Sequence, residues 1–269
     1  MPDIATFLKS VKLPVMPEVA QALIQTLGSD RADVPLITAI IAKDPALTAT
    51  LLRMANSAMF GLSRSVSTLD SAVSVVGTAQ IRARALSICM SQVFAFPPGL
   101  NRLEFWGNCM VCAGYARWLA TRLGMDEQQA WLTGMMLRLG ELLIAQRLPE
   151  SVLTIETQPC APAERWRRER HQAGFDEGQL AGEIAQRWDF PASIADTLRA
   201  CCQPPLDNLA RLAITVHLAA LMADPSVPHP KKLDHLPLLL VECIGLNLGS
   251  LRGHVPDPAS FSDISMLHG

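Results

Sequence analysis

Apolar residues recur at helical spacing along nearly the whole chain. Val19, Leu23, Ile24 and Leu27 form one stripe, and Leu47, Leu51, Met54 and Ala58 form another. Ile81, Ala85, Ile88 and Gln92 share one side of a third segment, with Leu86, Cys89 and Val93 beside them. That doubled pattern predicts a helix buried on two sides. Strand-like alternation over six or more residues is absent, so the expected fold class is all-α.

Start and stop signals divide the pattern into short helices. Asp44-Pro45 reads as an N-cap followed by proline at the first helical position. Gly61, Gly77, Gly124 and Gly174 sit where helices could end, and Thr78 is the expected cap of the helix after Gly77. Phe96-Pro97-Pro98-Gly99 cannot continue a helix. A lobe boundary is therefore placed there, giving a helical bundle over 1–98 and a second helical lobe over 99–250. A proline cluster, Pro225 to Pro230, is read as separating the last two helices. The tail 251–269, with Pro256, Pro258 and several serines, is expected to be poorly ordered.

Composition narrows the function. Ala and Leu dominate and aromatics make up only 5% of 269 residues, which favours helix. A net charge of −2 argues against general affinity for nucleic acid or anionic membrane. No apolar run is long enough to span a membrane, and no signal peptide is visible. Seven cysteines without a small-scaffold pattern suggest free thiols in a cytoplasmic setting.

Three stretches share an order seen in a known family. The first is Leu13-Pro14-Val15-Met16-Pro17. The second is Asp44-Pro45-Ala46-Leu47-Thr48. The third runs from Leu51 through Asn56, Ser57, Phe60 and Gly61 to Leu62, and Val66-Ser67-Thr68-Leu69 follows it. The chain resembles the HDOD family, the HD-related output domains of bacterial signalling proteins. The likeness continues through Phe105-Trp106, Gly134-Met135-Met136-Leu137-Arg138-Leu139-Gly140, Gly174-Phe175-Asp176 and Arg187-Trp188-Asp189-Phe190-Pro191, and covers roughly residues 11 to 224.

The resemblance also says where an active HD phosphohydrolase would hold its metal ligands. Those places carry Asn108, Leu137, Arg138, Glu177, Cys201, Cys202 and Ala220. Leucine has no lone pair to give, and arginine brings a permanent positive charge. None of the six histidines falls on a ligand place. No catalytic residue, metal or cofactor is therefore expected.

Other readings remain to be weighed. Arg138 and Glu177 are expected to face each other as a buried ion pair that fills the former metal pocket, in preference to Arg138 binding a nucleotide phosphate there. Cys109, Cys112, Cys201 and Cys202 could assemble a zinc site. Adjacent cysteines on a helix point about 100° apart, however, and buried structural cysteine is the preferred reading. The basic run from Arg165 to His171 reads as a solvated helix face with Trp166 packed inward. Arg82 and Arg84 resemble a recognition helix only superficially. Asn56 and Ser57 are expected to end a helix by bonding nearby backbone.

What the resemblance implies is a non-catalytic regulatory output module in bacterial signal transduction, acting on a protein partner, with the groove between lobes as the expected docking place. No attached sensor or receiver is expected, so input would come in trans. A nucleotide or cyclic-dinucleotide sensor ranks second, and a metal-dependent phosphohydrolase last.

Overall fold

The computed structural model describes residues 4–27, 33–57, 65–157 and 160–261. Among them the regular structure is helical, with no strand. In chain order the α-helices are α1 (Ile4–Lys9), α2 (Glu18–Gln25), α3 (Val34–Ile41), α4 (Pro45–Ala55), α5 (Leu69–Val76), α6 (Thr78–Val93), α7 (Arg102–Arg122), α8 (Glu127–Met136), α9 (Leu139–Arg147), α10 (Val152–Ile155), α11 (Pro162–Ala173), α12 (Glu177–Arg187), α13 (Ala192–Cys201), α14 (Arg211–Met222), α15 (Leu238–Cys243) and α16 (Leu248–Leu251). The chain divides into two compact units. The smaller is built on Pro14–Phe94 and Arg187–Pro191, and the larger on Met1–Leu13, Ala95–Gln186 and Ala192–Asp263.

In the smaller unit, α3 rests on α5, while α2 and α4 rest on α6. Leu23, Ile24, Ile37, Leu51 and Ile81 are fully buried between them. Asp44 caps α4 as its sequence suggests, its Oδ1 accepting from the Ala46 and Leu47 amides at 3.0 Å. The helix α6 is buried on both sides, through Ile81, Ala85 and Ile88 and through Leu86 and Cys89, although Gln92 at its end is exposed. Thr78 is not its cap. Gly77 holds that place at φ 97°, ending α5 and starting α6 in one residue. Only glycine takes that backbone conformation without strain, so the turn is one residue shorter than expected. Trp188 packs edge-on against Phe94 at 5.7 Å, and its Nε1–H donates to the Pro14 carbonyl at 3.0 Å.

Asn56 ends α4. Its Nδ2 donates to the carbonyls of Leu52 and Val66, and its Oδ1 accepts from the Val66 amide at 2.7 Å. Ser57 does not share the work expected of it: its Oγ finds no partner among the described residues. Phe60 and Gly61, also expected in this motif, lie outside the described residues, as does Ala58.

The larger unit is organised around α7, which packs along α8 and α14. Most of α7 from Phe105 to Ala120 is buried. Two close approaches set the position of the site. A Cβ on Gly134 would lie 3.1 Å from the Ala113 Cα, so α8 can lie against α7. A Cβ on Gly140 would lie 2.0 Å from the Glu177 carbonyl oxygen. The backbone of α9 thus touches the start of α12, and only glycine fits. Gly140→Ala is expected to cost about 2–3 kcal/mol, as overpacking against rigid backbone does, read as a lowered urea midpoint.

Two sequence expectations fail in this unit. The proline cluster is followed not by one last helix but by the 3-10 stretch His229–His235, then α15 and α16. The stretch from Leu251 to Phe261, expected to be poorly ordered, is pinned down. Tyr115 donates its hydroxyl to the Pro256 carbonyl at 3.2 Å, and His229 Nε2 lies 2.9 Å from the Val255 carbonyl. Phe261 packs edge-on against Tyr115 at 5.2 Å, over Gly114, where a Cβ would come within 2.3 Å of its ring. The missing side chain at Gly114 is the notch that holds the tail. The tail beyond Phe261 lies outside the described residues.

Candidate functional site

Five of the seven residues expected at metal-ligand places, Asn108, Leu137, Arg138, Glu177 and Ala220, line one cavity of about 500 Å³ in the larger unit. Cys201 and Cys202 are buried nearby but do not line it. Leu137 and Arg138, both with right-handed helical backbone angles, form the turn that joins α8 to α9. Glu177 opens α12, and that start is well fixed. Asp176 accepts from the Gln179 amide at 3.0 Å while Gln179 Oε1 accepts from the Asp176 amide at 3.1 Å, a reciprocal cap.

Arg138 does approach Glu177, with Nε 3.8 Å from Oε2, but that is the longest of its ion pairs. Its hydrogen bonds go to Glu141, from Nε at 2.9 Å and Nη2 at 2.5 Å, and to Glu156 from Nη2 at 3.2 Å. Its guanidinium also stands 5.0 Å over the Phe105 ring. The hydrogen-bonded cation of Glu177 is Arg165, whose Nη2 donates to Oε1 at 2.7 Å, and Trp166 Nε1–H donates to the same oxygen at 2.6 Å. The Glu177 amide donates to Glu169 Oε2 at 2.7 Å. The simple pair expected from the sequence is therefore part of a network of two arginines and four glutamates.

Four members of that network escaped the sequence reading: Glu141, Glu156, Arg165 and Glu169. The basic run on α11 is not wholly solvated. Trp166 is buried as expected, but Arg165 and Glu169 are buried beside it, while Arg167 keeps 71% of its side chain in solvent. The signal was present. Pro162, Arg165, Trp166, Glu169 and Ala173 are the buried positions of α11, and their spacing marks one helix face.

The charges do not balance if every group is ionised. Four carboxylates face two guanidiniums in a largely buried region, Glu156 keeping 26% of its side chain exposed, and burying a surplus charge is costly. Protons relieve the excess. Burial pushes Glu141 up to about 7, against the opposing pull of Arg138. Burial, with the negative charge of Glu177 beside it, holds Glu169 well above the usual carboxylate range. Burial acts on Glu156 in the same sense, but a hydrogen bond from Glu141 and the charge of Arg138 outweigh it and keep Glu156 low.

The residues do not suit a metal in the HD manner. Leu137 and Ala220 have no donor atom, and Arg138 fills its place with a cation hydrogen-bonded to carboxylates. The cysteines do not replace the lost ligands. Without a metal, burial pushes the Cys112 thiol up to about 12 and raises Cys109, Cys201 and Cys202 as well. Among the described residues, the group whose donor atoms come close enough to share an ion is Glu141, Glu169 and Glu177, with no sulfur in it. His217 Nδ1 lies 2.8 Å from the Cys201 carbonyl and its ring packs on Trp166 at 5.0 Å. Burial lowers its pKa, so it serves as a neutral core histidine.

The sequence profile of the HDOD domain family matches residues 13–204. This chain belongs to the HDOD family. Solved structures agree on the fold of this HDOD domain. A protein of Shewanella amazonensis SB2B that bears the name of a phosphohydrolase superposes with a TM-score of 0.79 at 24% identity, covering 98% of each chain. An HDOD domain protein of unknown function from Geobacter sulfurreducens gives 0.77 at 17% identity, covering 97% of this chain and 96% of its own. A protein of Marinobacter aquaeolei VT8 that bears the name of a signal transduction protein gives 0.76 at 18%, covering 96% of this chain and 60% of that one. An uncharacterized protein of Treponema pallidum (strain Nichols) is 22% identical over 190 residues, and the aligned part is 37% of its length. Among the described residues of the HDOD chain, no helix is long and apolar enough to cross a membrane.

Proposed function

We propose that this HDOD domain is a non-catalytic regulatory module that acts by binding a protein partner in a signalling pathway. The observation that carries this reading is the filling of the cavity floor. Arg138 and Arg165 stand among four carboxylates, where hydrolysis by the HD route would need bare metal ligands. The name borne by the Marinobacter relative points the same way. A nucleotide sensor is the second reading. It is weakened because the phosphate would have to compete with glutamates already bonded to both guanidiniums.

The test has two arms. Purified protein is incubated with a phosphodiester substrate and Mg²⁺, Mn²⁺ or Ni²⁺, and no turnover above the no-enzyme rate is expected. Turnover abolished by a chelator would sink the proposal. In the second arm, cross-linking in the native cell followed by mass spectrometry is expected to recover a signalling protein in stoichiometric amount.

A further inference from the structure

The cavity wall is acidic. Glu104, Glu156, Glu177 and Asp224 line it against Arg138 and Arg165, and Glu141 and Glu169 stand behind. The cations are partly engaged. Arg138 is bonded to Glu141 and Glu156, and Arg165 to Glu177. Lys232, near Asp224, donates instead to the main-chain carbonyl of Asp224. Three carboxylate oxygens of the network are buried without a hydrogen-bond partner, Glu141 Oε1, Glu169 Oε1 and Glu177 Oε2, and of these residues Glu177 lines the cavity, with Arg138 Nε 3.8 Å from its Oε2. An unmet buried acceptor on a cavity wall is the place where a ligand donor gains most. At the mouth Glu104 is exposed, and between mouth and floor the wall is apolar through Leu100, Val111 and Leu137.

We propose that this cavity binds a small organic cation, a short aliphatic amine or diamine, with an ammonium at the Glu177 and Glu156 carboxylates and its methylenes against the apolar wall. An ammonium supplies donors and positive charge without needing to displace a resident glutamate. Arg165 Nε is also buried without a hydrogen-bond partner, but Glu169 Oε1 at 3.6 Å and Glu141 Oε2 at 4.0 Å stand against an anion there. A bare divalent ion fits less well. The triad Glu141, Glu169 and Glu177 could hold one by distance, but Arg165 Nε lies 3.6 Å from Glu169 Oε1 and 4.0 Å from Glu141 Oε2, and Arg138 Nε lies 3.8 Å from Glu177 Oε2. Two guanidiniums would repel a dication at that point. This inference goes beyond the proposed partner binding and stands or falls separately from it.

Gly107 provides the control. It lines the cavity from α7, and a Cβ placed there meets nothing within 4 Å. Gly107→Leu should therefore fill the cavity without disturbing the core. Isothermal titration of the full chain with 1,4-diaminobutane is expected to show one site. Butan-1-ol, which has the apolar body without the charge, should give no heat. Gly107→Leu is expected to weaken the diamine at least about tenfold with no loss of thermal stability, and Glu104→Gln, at an exposed position, by roughly threefold. Saturable binding of AMP or Mn²⁺ in place of the diamine would overturn the proposal. So would diamine binding that neither variant changes, or no diamine binding at all.

Discussion

Arg165→Leu is expected to lower the stability of the domain by about 3–5 kcal/mol, the cost of removing one side of a buried ionic network. Arg165 is 5% exposed and holds Glu177 Oε1 at 2.7 Å, with Glu169 at 3.6 Å and Glu141 at 4.0 Å. Leucine would leave Glu177 with Arg138 at 3.8 Å as its nearest cation. Arg167→Leu, two residues along the same run, removes a side chain that is 71% exposed and bridges to Glu164 on the surface. Its cost should stay under about 0.5 kcal/mol. Glu169→Gln should cost little at neutral pH, because Glu169 is already held protonated and glutamine keeps an oxygen for the Glu177 amide. Urea unfolding of the three variants side by side checks the ordering. A small loss in Arg165→Leu would mean that the network is not closed to water.

The same run shows what local pattern reveals and where it stops. The helix and its glycine end at Gly174 follow from sequence signals, and the structure agrees. The buried face was also readable, because Arg165 and Glu169 fall in step with Trp166 and Ala173. The charge of the run points to solvent, while the spacing of Arg165 points inward, and the spacing decides. Glu141 was harder. Every residue from Leu139 to Ala145 is buried, so α9 has no polar face from which a misplaced glutamate could stand out. Glu156 follows the four-residue α10, too short for any period. Five of the seven residues singled out by the likeness to HD proteins line one cavity, and Cys201 and Cys202 do not. That likeness could not name the replacements, because Glu141, Glu156 and Arg165 do not stand at ligand places. The tail shows the same limit. Pro256 and Pro258 looked like loop composition, and the hold on Phe261 comes from a notch at Gly114 that no nearby residue announces.

Stability is expected to fall as the pH rises from 6.5 to 8.5, by about 3 kcal/mol for each proton that the folded state holds, and the unfolded chain does not, across the whole range. The sign follows from the carboxyls. Glu141, pushed up to about 7, and Glu169, held well above the usual range, both bind protons in the folded state that they have released in the unfolded chain. Their contribution is complete below the unfolded value of 4.5 and is lost as the pH climbs through each folded value. Glu156, held low, is ionised in both states across this range and adds no slope. His217 acts in the opposite sense, since burial lowers it from 6.5, but its effect lies below that pH. The two glutamates dominate the lower part of the window, and towards pH 8.5 the buried thiols, raised above their unfolded value, add a smaller fall of the same sign. Urea midpoints at pH 6.5, 7.5 and 8.5 should decline steadily in the parent. In Glu169→Gln the decline above pH 7.5 should be clearly shallower than in the parent, because glutamine holds no proton and only the buried thiols still add to the fall. A parent whose stability stays level or rises with pH would show that the four carboxylates are ionised together, with the surplus charge met by something other than protons.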